Sequence, residues 1–159
     1  MIYIFFLETN AAHGCRLRIG RVSEPDRIYL LTAVVYQRQP IFSDWRLGRL
    51  LVDQLRSAEE VSMATSLAWV VMPDHVHWLA QLHSGNLAEL MSRIKSRSSR
   101  DVNLARCQQG RLWQRGYYDR ALRKDEDLKD AARYIITNPL RAGLVRRVGD
   151  YPLWDAIWV

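Results

Sequence analysis

Two cysteines in 159 residues, Cys15 and Cys107, are too few for a secreted disulfide framework, and they lack the close pairing of a thiolate zinc site. A reducing compartment, the cytoplasm, is therefore expected. No apolar run approaches the roughly 20 residues that a membrane-spanning helix needs: the opening MIYIFFL passes at once into Glu8, Thr9 and Asn10. Internal repeats and low-complexity tracts are absent, and the eight glycines and five prolines form no linker that would divide the chain. Lysine is scarce as well. Only three of the 23 basic residues are lysines, so the positive charge rests on arginine, whose planar fork suits phosphates and stacked bases better than an ammonium does.

The remaining composition, 48% hydrophobic and 25% charged, is that of a globular domain. A chain of this length buries roughly 70% of its unfolded surface without a metal or disulfide staple. Its net charge of +6 is unevenly spread. Residues 1–85 are neutral and residues 148–159 carry −2, whereas residues 86–147 hold 15 basic against 7 acidic side chains. A solubilising face and a polyanionic partner both account for that excess, and the arginine bias favours the partner.

Residues 1–26 show no sustained period beyond MIYIFFL and are expected to form an arm or extension ahead of one domain at 27–159. The run RIYLLTAVVY from Arg27, closed by Gln37-Arg38-Gln39-Pro40, predicts a strand. Ser43 offers an N-cap for an amphipathic helix in which Leu47, Leu50, Leu51, Leu55 and Ala58 recur at helical spacing. Residues 67–72 and 75–82, parted by Pro73-Asp74, predict a hairpin of two central strands. Leu87, Leu90, Met91 and Ile94 mark a second helix, and residues 113–122, WQRGYYDRAL, a fourth strand. Asp125, Glu126 and Asp127 suit the positive end of a further helix running to about Thr137, which Asn138-Pro139 ends or bends. Strand, helix, strand, strand, helix, strand is the split βαβ order of an α+β, ferredoxin-like antiparallel sheet. One sheet face would carry helices and the other would be open, with an added C-terminal helix carrying Tyr134.

His75-Val76-His77 is the sharpest local signal. In a strand, residues i and i+2 project from one face, so both imidazoles can serve one metal ion while Val76 points into the opposite layer. Tyr134 flanks a helical stripe of Leu128, Ala131, Ala132 and Ile135, where a packed tyrosine with a wet hydroxyl is the ordinary role. Asn138 follows one turn later, as a partner of Tyr134 or as the N-cap of a short turn from Pro139 that Gly143 would stop.

The segments LAWVVMPDHVHWLAQL, LWQRGYYDRALR and ARYIITNPLRAGLV, in this order and at this spacing, resemble the REP-associated tyrosine transposases. These are relatives of the single-tyrosine HUH transposases of small insertion sequences, and the resemblance spans about residues 20–155. It implies a ferredoxin-like sheet, metal ligands at His75 and His77, a nucleophile at Tyr134 and a further polar ligand at Asn138, where relatives often place Gln. The implied activity is metal-dependent cleavage and strand transfer of single-stranded DNA through a 5′-phosphotyrosine, on palindromic hairpins. The implied metal is Mg²⁺ or Mn²⁺, with Mn²⁺ the better match to imidazole. A site held within a monomer and one shared by a homodimer leave the same motifs.

Arg93, Arg97 and Arg100 recur at i, i+4 and i+7 opposite the apolar stripe, with Lys95 and four serines around them, and are expected to contact DNA phosphates. Arg115, Arg120, Arg123 and Arg133 offer a second DNA path nearer Tyr134. Two other classes compete: a non-catalytic single-stranded DNA- or RNA-binding module, and a metal-dependent hydrolase in which Asp74 or His83 joins the two histidines to activate water.

Overall fold

The computed structural model describes residues 23–123 and 128–158. The MIYIFFL segment, most of the expected N-terminal arm and the acidic cluster Asp125-Glu126-Asp127 lie outside the described residues. Five strands form one antiparallel sheet: β1 (Ile28–Val34), β2 (Ala64–Met72), β3 (His75–Leu82), β4 (Tyr118–Ala121) and β5 (Trp154–Ala156), ordered β4-β1-β3-β2-β5. Helices α1 (Trp45–Glu60) and α2 (Leu87–Ala105) complete the ferredoxin-like order, and α3 (Leu128–Ile136) and a short α4 (Asn138–Arg141) follow. No helix among the described residues is long and apolar enough to cross a membrane.

Strand β3 sits between β1 and β2, so its backbone is paired on both edges and its side chains must satisfy both faces. Val76, Trp78, Ala80 and Leu82 enter one core together with Leu51, Val52 and Leu55 of α1 and Leu90, Met91 and Ile94 of α2. Leu79 enters a second core with Val70, Met72, Ala132, Ile135 and Ile136. By the same alternation His75 and His77 face that second side. The run LAWVVM is unbroken because β2 is buried on both faces, Trp69 and Val71 in the first core, Ala68, Val70 and Met72 in the second.

Helix α3 packs on β2, β3 and β5, so the face expected to be open is open only beyond the area that α3 covers. Two local expectations are corrected. Ser43 belongs to a 3-10 turn, and the carboxylate of Asp44 caps α1 by accepting from the Arg46 backbone N–H at 3.0 Å. The predicted strand at 113–122 is a ladder only over Tyr118–Ala121, with Trp113 making a lone bridge to Val35. The reason is that Gly116 turns at φ +72°, and Lys95 Nζ takes the carbonyls of Gln114 (2.8 Å) and Gly116 out of the ladder.

That segment is anchored from α2. The fully buried Ser98 hydroxyl donates to the Ile94 carbonyl at 2.7 Å and accepts from Trp113 Nε1 at 3.0 Å, while the Trp113 ring lies 5.6 Å from Phe42. Replacing Ser98 by Ala strands the buried indole N–H, and should cost about 1–3 kcal/mol in denaturant unfolding, whereas Ser96→Ala on the exposed side of α2 should change little.

Candidate active site

The hairpin turn Pro73-Asp74 delivers His75 into register opposite Met72, and His77 opposite Val70 on one side and Thr32 on the other. The two imidazole rings stand 4.8 Å apart, edge to face at 79°. Each Nδ1 is held. Asp74 Oδ1 lies 2.6 Å from His75 Nδ1, and Thr32 Oγ1 lies 2.8 Å from His77 Nδ1. Because a carboxylate can only accept, His75 carries a proton on Nδ1, which turns Nε2 away from Asp74; His77 is oriented in the same way in the tautomer that donates to Thr32. The second oxygen of Asp74 accepts from Arg38 Nη1 at 3.0 Å. His75 and Arg38 together hold the Asp74 carboxyl down at about 2, against its burial. Gln37 and Arg38 adopt left-handed φ of 55° and 51° in the loop that places this arginine, a conformation that costs non-glycine residues about 1–2 kcal/mol each.

Burial pushes the His77 imidazole down to about 3, and the charges of His75 and Arg141 add to that effect while Asp74 opposes it. His77 is therefore neutral across the physiological range, the form that binds a cation. Two imidazoles with their Nδ1 atoms fixed by a carboxylate and a hydroxyl fit a divalent ion that accepts nitrogen and oxygen donors. No third His, Cys, Asp or Glu joins them among the described residues. His83, eight residues along from His75, lies beyond the far end of β3 and is bonded to Thr65 Oγ1 (2.8 Å) and Asp26 Oδ1 (3.3 Å). With Asp74 occupied and His83 remote, neither completes the hydrolase ligand set.

Tyr134 rides on α3 over the histidine face, half-buried, with the Arg141 guanidinium 3.8 Å above its ring. Asn138 is not the N-cap of the following turn. That position is Thr137, and the Asn138 amide instead donates back to the carbonyls of Tyr134 (3.2 Å) and Ile135 (3.0 Å), closing the last turn of α3. Its Oδ1 accepts from Arg141 Nη2 at 3.0 Å, which leaves one lone pair of that oxygen for a cation. Gly143, at φ +69°, stops α4 as expected: its N–H bonds Leu140 O and that of Leu144 bonds Pro139 O.

The basic candidates divide between the two layers. Arg93 and Lys95 are committed inside the fold, Arg93 Nη2 to Ser57 Oγ of α1 at 3.3 Å and Lys95 to the two loop carbonyls. Arg97 and Arg100 are exposed on α2, and Arg115 lines a shallow groove beside that helix with Lys95 and Arg111. All of these lie across the sheet from the histidines. Arg120 faces the histidine side, in a row with Leu30 and Leu79, while Tyr118 shares the row of Thr32 and His77. Arg123 is exposed just beyond β4, and Arg133 is exposed on α3 with Nη1 2.9 Å from Asp130 Oδ1. Tyr117 packs toward the helix-side core instead. Sequence reasoning missed Thr32, Arg38 and Arg141. Strand pairing alone reveals Thr32, and the fold of the turn after β1 alone reveals Arg38, but Arg141 stands seven residues after Tyr134, a two-turn helical spacing that could have flagged it.

A ferredoxin-like sheet with His-x-His on its central strand, and a tyrosine helix laid over the same face, defines a tyrosine-dependent nicking enzyme of the HUH class. The family model described as Transposase IS200 like matches residues 26–138, and the chain belongs to that family of tyrosine transposases. It is 26% identical over 136 residues to a Haemophilus influenzae protein bearing the name REP-associated tyrosine transposase, covering 79% of this chain and 77% of that one. It is 31% identical over 85 residues to the REP-associated tyrosine transposase of Escherichia coli, covering 54% of this chain and 50% of that one. The structure of a REP-associated tyrosine transposase bound to a REP hairpin superposes with a TM-score of 0.70 at 22% identity, over 84% of this chain and 79% of the other.

The depressed His77 value has a thermodynamic consequence. Below its ordinary value of 6.5 the unfolded chain takes up a proton that the folded chain refuses until about 3, so stability falls as pH is lowered through that window. In metal-free protein, lowering pH from 6.5 to 4 should cost on the order of 2–3 kcal/mol in wild type. Urea unfolding should show that loss largely removed in His77→Gln.

Proposed function

We propose that this chain cleaves and rejoins single-stranded DNA through a covalent bond to Tyr134, within one domain spanning residues 27–159. The observation that carries this reading is the shared face: Tyr134 lies on a helix packed over the sheet side that presents His75 and His77, and Arg141 stacks on Tyr134 while its charge reaches His77. The Tyr134 oxygen attacks the phosphorus of a backbone phosphate, the bond to the 3′ oxygen breaks, and the products are a 5′-phosphotyrosine and a free 3′-hydroxyl. The phenolic proton passes to solvent, and the leaving oxygen takes up another. One phosphodiester replaces another, so a 3′-hydroxyl of an incoming strand can reverse the step and complete strand transfer.

His75 and His77 would hold a divalent cation, Mg²⁺ or Mn²⁺, with the Asn138 amide oxygen as a further donor. Bound there, such an ion neutralises charge on the phosphate as a Lewis acid. Asp74 and Thr32 orient the imidazoles, and Arg38 orients Asp74. Hairpin-forming DNA is the natural substrate class on this reading, because the solved relative of the same fold is bound to a REP hairpin. Arg120 and Arg133 would border the strand's path on the histidine side, with Arg123 exposed at the end of β4; Arg97, Arg100 and Arg115 are available to a duplex stem that wraps to the other layer.

Incubation with a hairpin-bearing single strand and Mn²⁺, resolved on a denaturing gel, tests the reading. A covalent protein–DNA band should form with wild type and vanish in Tyr134→Phe at unchanged DNA affinity. Binding alone, or release of cleaved DNA without adduct, would support instead the binding module or the water-activating hydrolase. Calorimetry should show Mn²⁺ uptake lost in His75→Ala and His77→Ala, weakened about 10–100-fold in Asp74→Asn, and retained in His83→Ala.

A further inference from the structure

We propose that Arg141 is a catalytic residue: its guanidinium, seated on the Tyr134 ring, donates hydrogen bonds to a non-bridging oxygen of the phosphate that Tyr134 attacks. This rests on Tyr134 being the nucleophile, and the experiment below separates the two.

The geometry singles this arginine out. Its guanidinium carbon lies 3.8 Å from the Tyr134 ring centroid, against 5.8 Å for Arg46 over Trp45 and 5.2 Å for Arg111 over Tyr36. One nitrogen, Nη2, donates both to the Tyr134 carbonyl at 2.8 Å and to Asn138 Oδ1 at 3.0 Å. Those bonds fix the plane of the fork while leaving Nε and Nη1 without a partner among the described residues. Arg38, Arg100, Arg133 and Arg147 each pair with a carboxylate. Arg141 pairs with none among the described residues; its anchors are an aromatic face and two neutral oxygens, so no described carboxylate compensates its charge. It is also exposed, within reach of a ligand.

An ordered guanidinium with free donors and no counter-charge beside a nucleophilic oxygen is the arrangement that stabilises charge on a transferring phosphoryl group. The short helix α4 makes the placement rigid. The break at Thr137 and the glycine stop at Gly143 leave one turn of chain, which brings residue 141 back over residue 134. No group beyond those of the cleavage step is needed. As the Tyr134 Oη–P bond forms and the P–O3′ bond breaks, Arg141 donates throughout and gives up no proton, since guanidinium stays charged.

The test uses the full chain, Mn²⁺ and a hairpin-bearing oligonucleotide, in single-turnover adduct assays at saturating DNA. The linkage cut by wild type is first mapped, and a second oligonucleotide carries a neutral methylphosphonate there. Arg141→Ala should slow adduct formation on the phosphodiester about 10²–10³-fold, the loss typical of one transition-state donor, with DNA affinity changed less than about threefold as expected of an interaction strongest in the transition state. On the methylphosphonate, which has no anionic oxygen to stabilise, the wild-type to Arg141→Ala ratio should shrink to below about tenfold. Arg141→Lys keeps the charge without the fork and should recover part of the rate on the phosphodiester.

A ratio equal on both substrates would mean that Arg141 only orders the helix end, and would overturn the proposal. So would a wild-type rate in Arg141→Ala with Tyr134→Phe inactive, which leaves the nucleophile assignment standing. Adduct persisting in Tyr134→Phe would overturn the nucleophile assignment and this proposal with it. If Arg141→Ala melts well below wild type, the same substrate comparison made with Arg141→Lys decides the matter.

Discussion

Double pairing of β3 is the constraint from which the site follows. A strand hydrogen-bonded on both edges cannot rotate or slip, because a one-residue shift would drive Val76, Trp78, Ala80 and Leu82 out of the helix-side core and put the histidines in their place. The same pairing brings Thr32 beside His77 and ends the neighbouring strand at the turn that holds Asp74 against His75. Two imidazoles are thus oriented by backbone register first and by their own hydrogen bonds second. Keeping polar rings at the edge of an apolar face costs free energy, which is visible in the value to which burial drives His77.

The nucleophile side is built by other means. Helix α3 is held by Ala132, Ile135 and Ile136 against β2 and β3, and its last turn is finished by a side chain, since Pro139 cannot supply a backbone donor. Asn138 therefore has two roles competing for one amide. Its nitrogen closes α3, and its oxygen serves Arg141 with a lone pair left for a cation. A residue so placed ties the end of α3 to Arg141 through a single planar group.

Charge is partitioned by the fold in a way its distribution along the chain conceals. The basic segment 86–147 reads as one patch, yet α2 lies on one face of the sheet, while the arginines of β4 and of α3 lie on the other. Arg93 and Lys95 carry positive charge that is used internally, to join α2 to α1 and to the loop leading into β4. Helical periodicity correctly sets them apart from the apolar stripe, but periodicity has no term for a second helix or a folded loop passing beside that polar face.

The sequence by itself determined the element order through α3, though not β5, together with both central strands, the end of α3 near Thr137 and the pairing of His75 with His77. The reason is that each depends on a local period: alternation in a strand, 3.6 residues in a helix, a proline or glycine at the break. Motif order then carried the family. Tertiary structure alone decided that Thr32 and Arg38 support the histidines, that α3 covers the face expected to be open, that Asn138 faces backward, and that Arg141 rests on Tyr134. Those are contacts between segments distant in the chain, or between side chains whose rotamers depend on a neighbouring element. No local pattern encodes them, because sheet register and helix docking exist only once the distant parts of the chain have met.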